Sequence, residues 1–303
     1  MVDDIGRRAP AKVRDGAFIL RQWPPPYRAP LLALLALAPI VLPHEALANC
    51  VTSGSTITCD ATAPNPYTTT IGTGSTTASG TTVTLGTNAQ ILLGNANAIS
   101  LGDNARITLT SGALVQNAAT TTGGLYSTGG DTVEFRNNGT LTVSAGATIY
   151  SSGTEADAEA VNVEGSGNVI DNYGTIRADH AAAIWFQNVS GTNTVINEAG
   201  GVIQAGSTAA NVIGASGNGA VDFTNKGSVI GSLIFAGGND ILHFYTGSSV
   251  TGSINGGAGN NLLTLNGTGT DSMTGALLNF QTLIKQDSGT WTLTGSVSNN
   301  GGT

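Results

Sequence analysis

The stretch from Val221 to Gly267 constrains the chain more than any other. Residues 221 to 235 read Val-Asp-Phe-Thr-Asn-Lys-Gly-Ser-Val-Ile-Gly-Ser-Leu-Ile-Phe, and Gly237-Gly238-Asn239-Asp240-Ile241-Leu242-His243-Phe244 follows. Each apolar burst is too short for a helix and is rich in β-branched or aromatic residues. The Gly, Asn, Asp and Ser between bursts stand where a tight turn needs positive φ or a side chain that bonds its own backbone. This pattern predicts one coil of a β-solenoid, and the sequence after residue 48 repeats it with varying fidelity.

Composition agrees with an all-β chain. There are 43 Gly in 303 residues, and only 10% of the chain is charged. A chain so poor in charge and aromatics would read as a linker if its apolar residues were scattered. Instead Val, Ile and Leu arrive in regular pulses, which favours a stacked β structure.

Residues 1–48 are different material. Arg7, Arg8, Lys12, Arg14, Arg21 and Arg28 precede an apolar run from Leu31 to Leu42, followed by Ala46-Leu47-Ala48. This reads as a secretory signal peptide with a long basic leader, cleaved between Ala48 and Asn49. The run is well short of the roughly 20 apolar residues a spanning helix needs. Taking the six basic and four acidic residues of this segment from the 11 and 19 of the whole chain leaves 5 and 15, a net charge of −10. No basic cluster remains, which argues against nucleic acid as a partner.

Cys50 and Cys59 both follow the cleavage point, and in an oxidising compartment they are expected to form a disulfide closing a small loop. Residues 49–79, rich in Thr, Ser and Gly, are expected to cap the first coil, because an open sheet edge invites strand addition. Residues 80–279 are expected to form the coils. Leu85-Gly86-Thr87-Asn88-Ala89-Gln90-Ile91 recurs as Leu101-Gly102-Asp103-Asn104-Ala105-Arg106-Ile107. A second unit, Asn-x-Gly before an aliphatic residue, appears around Asn172, Asn197 and Asn225, and in shortened form at Asn138. Asn side chains at equivalent turns are expected to stack as amide ladders. Leu141, Val143, Ile176, Val202, Ile203, Val229 and Ile230 are expected to supply inward side chains, with alternation sending only one of each adjacent pair into the core.

Glu155, Asp157, Glu159 and Glu164 crowd the least regular part of the chain. The expectation is an acidic excursion on a solvated turn, with a cation or ligand site as the sharper alternative.

The stretch Phe280-Gln281-Thr282-Leu283, followed by Gly289-Thr290-Trp291-Thr292-Leu293-Thr294-Gly295, resembles the repeat associated with autotransporter passengers. Phe280, Leu283, Gly289, Trp291, Leu293 and Gly295 carry the likeness. The resemblance implies a right-handed parallel β-helix carried to the cell surface, outer membrane or surroundings of a Gram-negative bacterium. It also implies an outer-membrane β-barrel translocator as partner, and a host or neighbouring-cell glycan or protein as what the passenger meets. Members of that family end in such a barrel, whereas residues 280–303 contain none of its alternating strands. This segment therefore reads as the start of a repeat in a truncated passenger.

The chemical signals are thin. Gly256-Gly257-Ala258-Gly259-Asn260-Asn261-Leu262 approaches a calcium-binding nonapeptide but has Asn261 where that motif has Asp. Asp287-Ser288-Gly289 resembles a serine-protease loop, yet Gln286 replaces a Gly of that motif, and His180 and His243 are the only bases after residue 48. The expectation is a non-catalytic, adhesin-like or structural scaffold without a cofactor. The enzymatic alternative is a β-helical polysaccharide lyase or glycoside hydrolase, using a carboxylate pair such as Asp171 with Asp179 or Asp222 with Asp240.

Overall fold

A computed structural model describes residues 49–63, 65–73, 76–120, 130–155, 157–206 and 211–298. Among these there is no helix, and all regular structure is β, in strands of two to six residues. Ala48, on the near side of the expected cleavage point, lies outside the described residues.

The strands form three long sheets. The first begins with Thr56–Cys59 and Thr82–Leu85, passes through Arg106–Leu109, Thr140–Val143, Val169–Asn172, Thr192–Asn197, Ala220–Asn225, Ile241–Tyr245 and Leu262–Asn266, and reaches Thr282–Lys285. All of these neighbours are parallel. The second sheet runs in parallel from Gln90–Leu93 to Ser249–Val250, and the third from Ile71–Gly72 to Val297–Ser298. The chain visits first, second and third sheet in turn and then returns to the first, one coil further along. In the last two coils, the segment between first and third sheets forms a separate parallel pair, Thr270–Met273 with Thr290–Leu293. The molecule is thus a parallel β-solenoid.

Alternation builds its core. Ile107, Leu141, Ile170, Val195, Phe223, Leu242 and Leu263 are register partners in successive first-sheet strands, and every one is buried. Ile149, Ile176, Ile203 and Val229 form the equivalent column in the second sheet. Each adjacent pair divides as expected: Ile203 and Val229 point inward, while Val202 is half-buried and Ile230 is exposed. Like stacks on like because β-branched side chains one strand spacing apart pack without a void. Phe223 and Phe244 meet edge to face with ring centroids 6.0 Å apart, a favourable aromatic arrangement.

The corners explain the repeats. Leu85-to-Ile91 joins the first sheet to the second, whereas Leu101-to-Ile107 joins the third sheet back to the first. The likeness of these two segments, which begin 101 − 85 = 16 residues apart, is therefore that of a corner motif used twice within one coil. Asn88 and Asn104 both take left-handed φ there, 60° and 58°, a conformation Asn tolerates better than most residues. Asn138, with φ 57°, lies at the corner that Asn104 occupies. It does not belong with Asn172, Asn197 and Asn225, which close the first sheet.

At the N-terminal end, Cys50–Ser53 pairs antiparallel with Thr56–Cys59, and a disulfide joins Cys50 to Cys59. Residues 49–79 thus supply both a hairpin on the first sheet's edge and the first strands of the stack. The segment 280–298 forms the last described coil. Trp291 donates its indole N–H to the carbonyl of Asn266 at 3.0 Å, and Phe280 is buried. A Cβ on Gly295 would collide with the Gly275 carbonyl of the coil before it, so this glycine permits the coils to approach. Leu293 packs partly against the core, and Leu283 remains 43% exposed at its end.

Candidate functional site

Of the side chains singled out in the sequence, Asp222 and His243 meet, whereas Asp171 and Asp179 lie on different sheets. Asp171 lies on a first-sheet strand, while Asp179 follows a second-sheet strand. Asp179 accepts from Arg177 at 2.7 and 3.0 Å and from the Tyr150 hydroxyl at 2.5 Å. Burial raises its carboxyl, but these bonds outweigh burial and hold it below the usual range. Asp222 is on the outward face of the first sheet, with Oδ1 3.8 Å from Nε2 of His243. Nδ1 of His243 meets the Thr264 hydroxyl at 2.6 Å. An acid, an imidazole and a hydroxyl in line would suit nucleophilic catalysis, but Thr264 is buried and its oxygen also takes a bond from Nδ2 of Asn266 at 2.9 Å. It cannot reach a substrate as it stands.

Asp240 is interior. Its Oδ1 accepts from the Val221 N–H at 2.7 Å, and its own N–H donates to Oδ1 of Asn261 at 2.9 Å. The N–H of Asn261 in turn donates to Gln281 at 2.6 Å. Asp240 therefore sits in a column of amides, its Oδ2 has no bonding partner, and burial pushes its pKa to about 6. Nδ2 of Asn261 donates to the carbonyls of Gly256 and Asn279, both at 2.9 Å. A carboxylate could not make those bonds, so Asn in this place has a structural role, and the calcium likeness ends there. Asp287 has φ 62° and accepts from the Gly267 N–H at 2.8 Å, which makes it a turn residue.

The acidic stretch after residue 150 overturns the solvated-turn expectation. Asp157 is exposed, but Glu159 is buried and Glu164 half-buried. They join two carboxyls that the sequence reading passed over, Asp131 and Glu134. The topology accounts for the meeting. Ser100, Glu134 and Asn162 are register partners on successive third-sheet strands, and their alternation points all three to one face. The flanking residues Val133, Phe135, Val161 and Val163 point into the core. The readable signal was the repeated triplet Val-Glu-Phe, Val-Asn-Val and Ile-Trp-Phe.

Within the cluster, Nδ2 of Asn97 donates to Oε2 of Glu134, and the Ser100 hydroxyl donates to the same oxygen at 3.3 Å. Nδ2 of Asn162 donates to Oδ2 of Asp131 at 2.9 Å. The Thr76 hydroxyl donates to Oε2 of Glu164 at 3.1 Å, and Nε of Arg136 lies 4.0 Å from that oxygen. Burial, then the charge of Glu159, pushes Asp131 well above the carboxylate range. Burial likewise raises Glu159. Burial, then Asp131 and Glu164, pushes Glu134 up to about 8. Burial raises Glu164 against the opposing pull of Thr76 and Arg136. Four oxygens in this cluster, Oδ1 of Asn97, Asp131 and Asn162 and Oε1 of Glu134, are buried with no donor.

The cluster therefore stores protons at neutral pH. Among the described residues, no three His, Cys, Asp or Glu side chains are grouped to hold a metal ion. Glu134, only 2% exposed, is also closed to a substrate. Compared with protein-family models, curated proteins and solved structures, the chain matches none.

Proposed function

We propose that the chain is a non-catalytic surface scaffold, the passenger part of an autotransporter. In this reading residues 1–48 direct export, an outer-membrane β-barrel carries the coils across, and the rod meets a glycan or protein on another cell. The observation that supports it best is the first-sheet ladder of parallel strands from Thr56 to Lys285. Stacked coils hold their corners at fixed intervals, so a partner meets a repeated and rigid surface. The Phe280-to-Gly295 motif supports the family, and its side chains serve the stacking of the last coil. The separation of Asp171 from Asp179, and of Asp222 from the interior Asp240, weighs against hydrolysis by those pairs.

The test joins residues 49–303 to an unrelated outer-membrane barrel and displays them on bacteria. Adhesion to cells or glycans above that of the barrel alone is expected. Release of reducing or unsaturated sugar ends from a polysaccharide panel would overturn the reading in favour of an enzyme.

A further inference from the structure

A strap meets the carboxyl cluster on one side, through Thr76. Residues 76–80 run along the corner at Gly102 and Asp103. The Gly102 N–H donates to the Ala78 carbonyl at 3.1 Å, the Asp103 N–H to Oγ of Ser79 at 3.1 Å, and the Gly80 N–H to the Asp103 carbonyl at 2.7 Å. The fit is close: a Cβ on Gly102 would stand 2.5 Å from Oγ of Ser79 and 2.7 Å from the Thr76 carbonyl oxygen. Thr76 is the strap's contact with the acids. Its N–H donates to Oγ of Ser100 at 3.2 Å, and Ser100 passes its own hydrogen to Glu134. Its hydroxyl reaches Glu164, just past the strand Val161–Val163, which lies two places beyond the strand of Ser100 in the third sheet. Thr76 is buried and holds φ at 52°, a conformation that is an outlier for a β-branched residue.

We propose that residues 76–80 form a latch over this cluster, closed while the carboxyls hold their protons and lifted when Glu134 ionises. The facing groups leave little other relief. Glu134 is surrounded by Asp131 and Glu164, with Glu159 against Asp131 and Asp157 adding its charge to Glu159. Among the described residues Arg136 is the cation beside them, 4.0 Å from Glu164, and Asp103 on the neighbouring corner shares its field. An ionised Glu134 would leave Oε1 charged, buried and without a donor, beside the donorless oxygens of Asn97, Asp131 and Asn162. Admitting water relieves this. Among the described residues the strap is the element set to admit it, because Thr76, its contact with the acids, sits in a backbone conformation it would leave on release.

Amide hydrogen exchange on the purified protein tests the latch. After correction for the intrinsic pH dependence, protection of the Thr76, Gly102 and Asp103 amides is expected to fall about tenfold between pH 6 and pH 9. Amides of Ile170 and Val195 in the first sheet should hold theirs. Glu134→Gln, a neutral isostere, should abolish the fall. The wild-type series is decisive on its own should that variant not fold. Strap protection that stays level with the Ile170 and Val195 controls, or a Glu134→Gln protein that falls as the wild type does, would overturn the latch.

Discussion

Nδ2 of Asn172 donates to Oδ1 of Asn197, one coil away, at 2.8 Å, and both side chains are fully buried. Asn197 donates in turn to Asn225 at 2.8 Å, so each amide in this file acts as acceptor on one side and donor on the other. The file replaces aliphatic side chains at the end of the first sheet, where Leu109 and Val143 precede it in register and Phe244 follows. Asn197→Ala removes two such bonds, leaves Oδ1 of Asn225 without its donor, and leaves Nδ2 of Asn172 with its 3.2 Å bond to the Val202 carbonyl alone. It is expected to destabilise the protein by about 2–4 kcal/mol in urea unfolding. A loss below about 0.5 kcal/mol would mean that water replaces the missing amide.

Stability should fall as pH rises from 5 to 8.5, the reverse of what a carboxylate paired in the folded state produces. Glu134 has a folded pKa of about 8 against an ordinary value of 4.5, so the folded state keeps a proton that the unfolded chain has lost. The stabilisation is complete below pH 4.5 and is lost progressively up to pH 8, with an upper limit of about 5 kcal/mol. Melting temperature measured at pH 5 and pH 8.5 should be higher at pH 5, and Glu134→Gln should flatten the difference.

Asp240→Asn tests the interior amide column. The Asp240 carboxyl is raised by burial to about 6, so above that pH the column holds an ionised group with a donorless oxygen. The amide removes the charge while keeping the oxygen that accepts from Val221. The variant is expected to be more stable at pH 8 by about 1–2 kcal/mol and unchanged at pH 3.5. Equal stability at both pH values would show that Asp240 is already solvated.

Replacing Cys50 and Cys59 by Ser removes the cross-link that holds the first hairpin. For a loop with a sequence separation of 9, loss of about 2–3 kcal/mol is expected by loop-closure entropy. The exposed Val51 strand should then fray from the sheet edge and promote association. Light scattering of wild type and variant at equal concentration reads that directly.

The parts of the fold legible in the sequence are those that depend on neighbours along the chain. Ile176, Ile203 and Val229 stack because alternation is local, and the Asn172 file follows from a turn of one shape repeated in three coils. The Asn138 turn was grouped with that file because Asn-Gly looks the same at every corner. Which corner it closes depends on coil length, and the Leu85 and Leu101 repeats misled for the same reason. The carboxyl cluster was hidden more deeply. Thr76, Ser100, Glu134 and Glu164 become neighbours only once successive coils are set in register. Read singly, each is an ordinary polar residue beside an apolar one.

The first-sheet residues Val83, Ile107, Leu141, Ile170, Val195, Phe223, Leu242, Leu263 and Leu283 stand 24, 34, 29, 25, 28, 19, 21 and 20 residues apart, yet remain partners in one ladder. Every step advances the ladder by one strand spacing, about 4.8 Å, whatever its residue count. Reach and mass are thereby uncoupled. The 15 residues by which the longest step exceeds the shortest add nothing to the ladder's advance from one set of corners to the next. New material inserted there would widen the molecule locally and leave the distance between its ends the same, so that side decoration can vary on a ruler of fixed length.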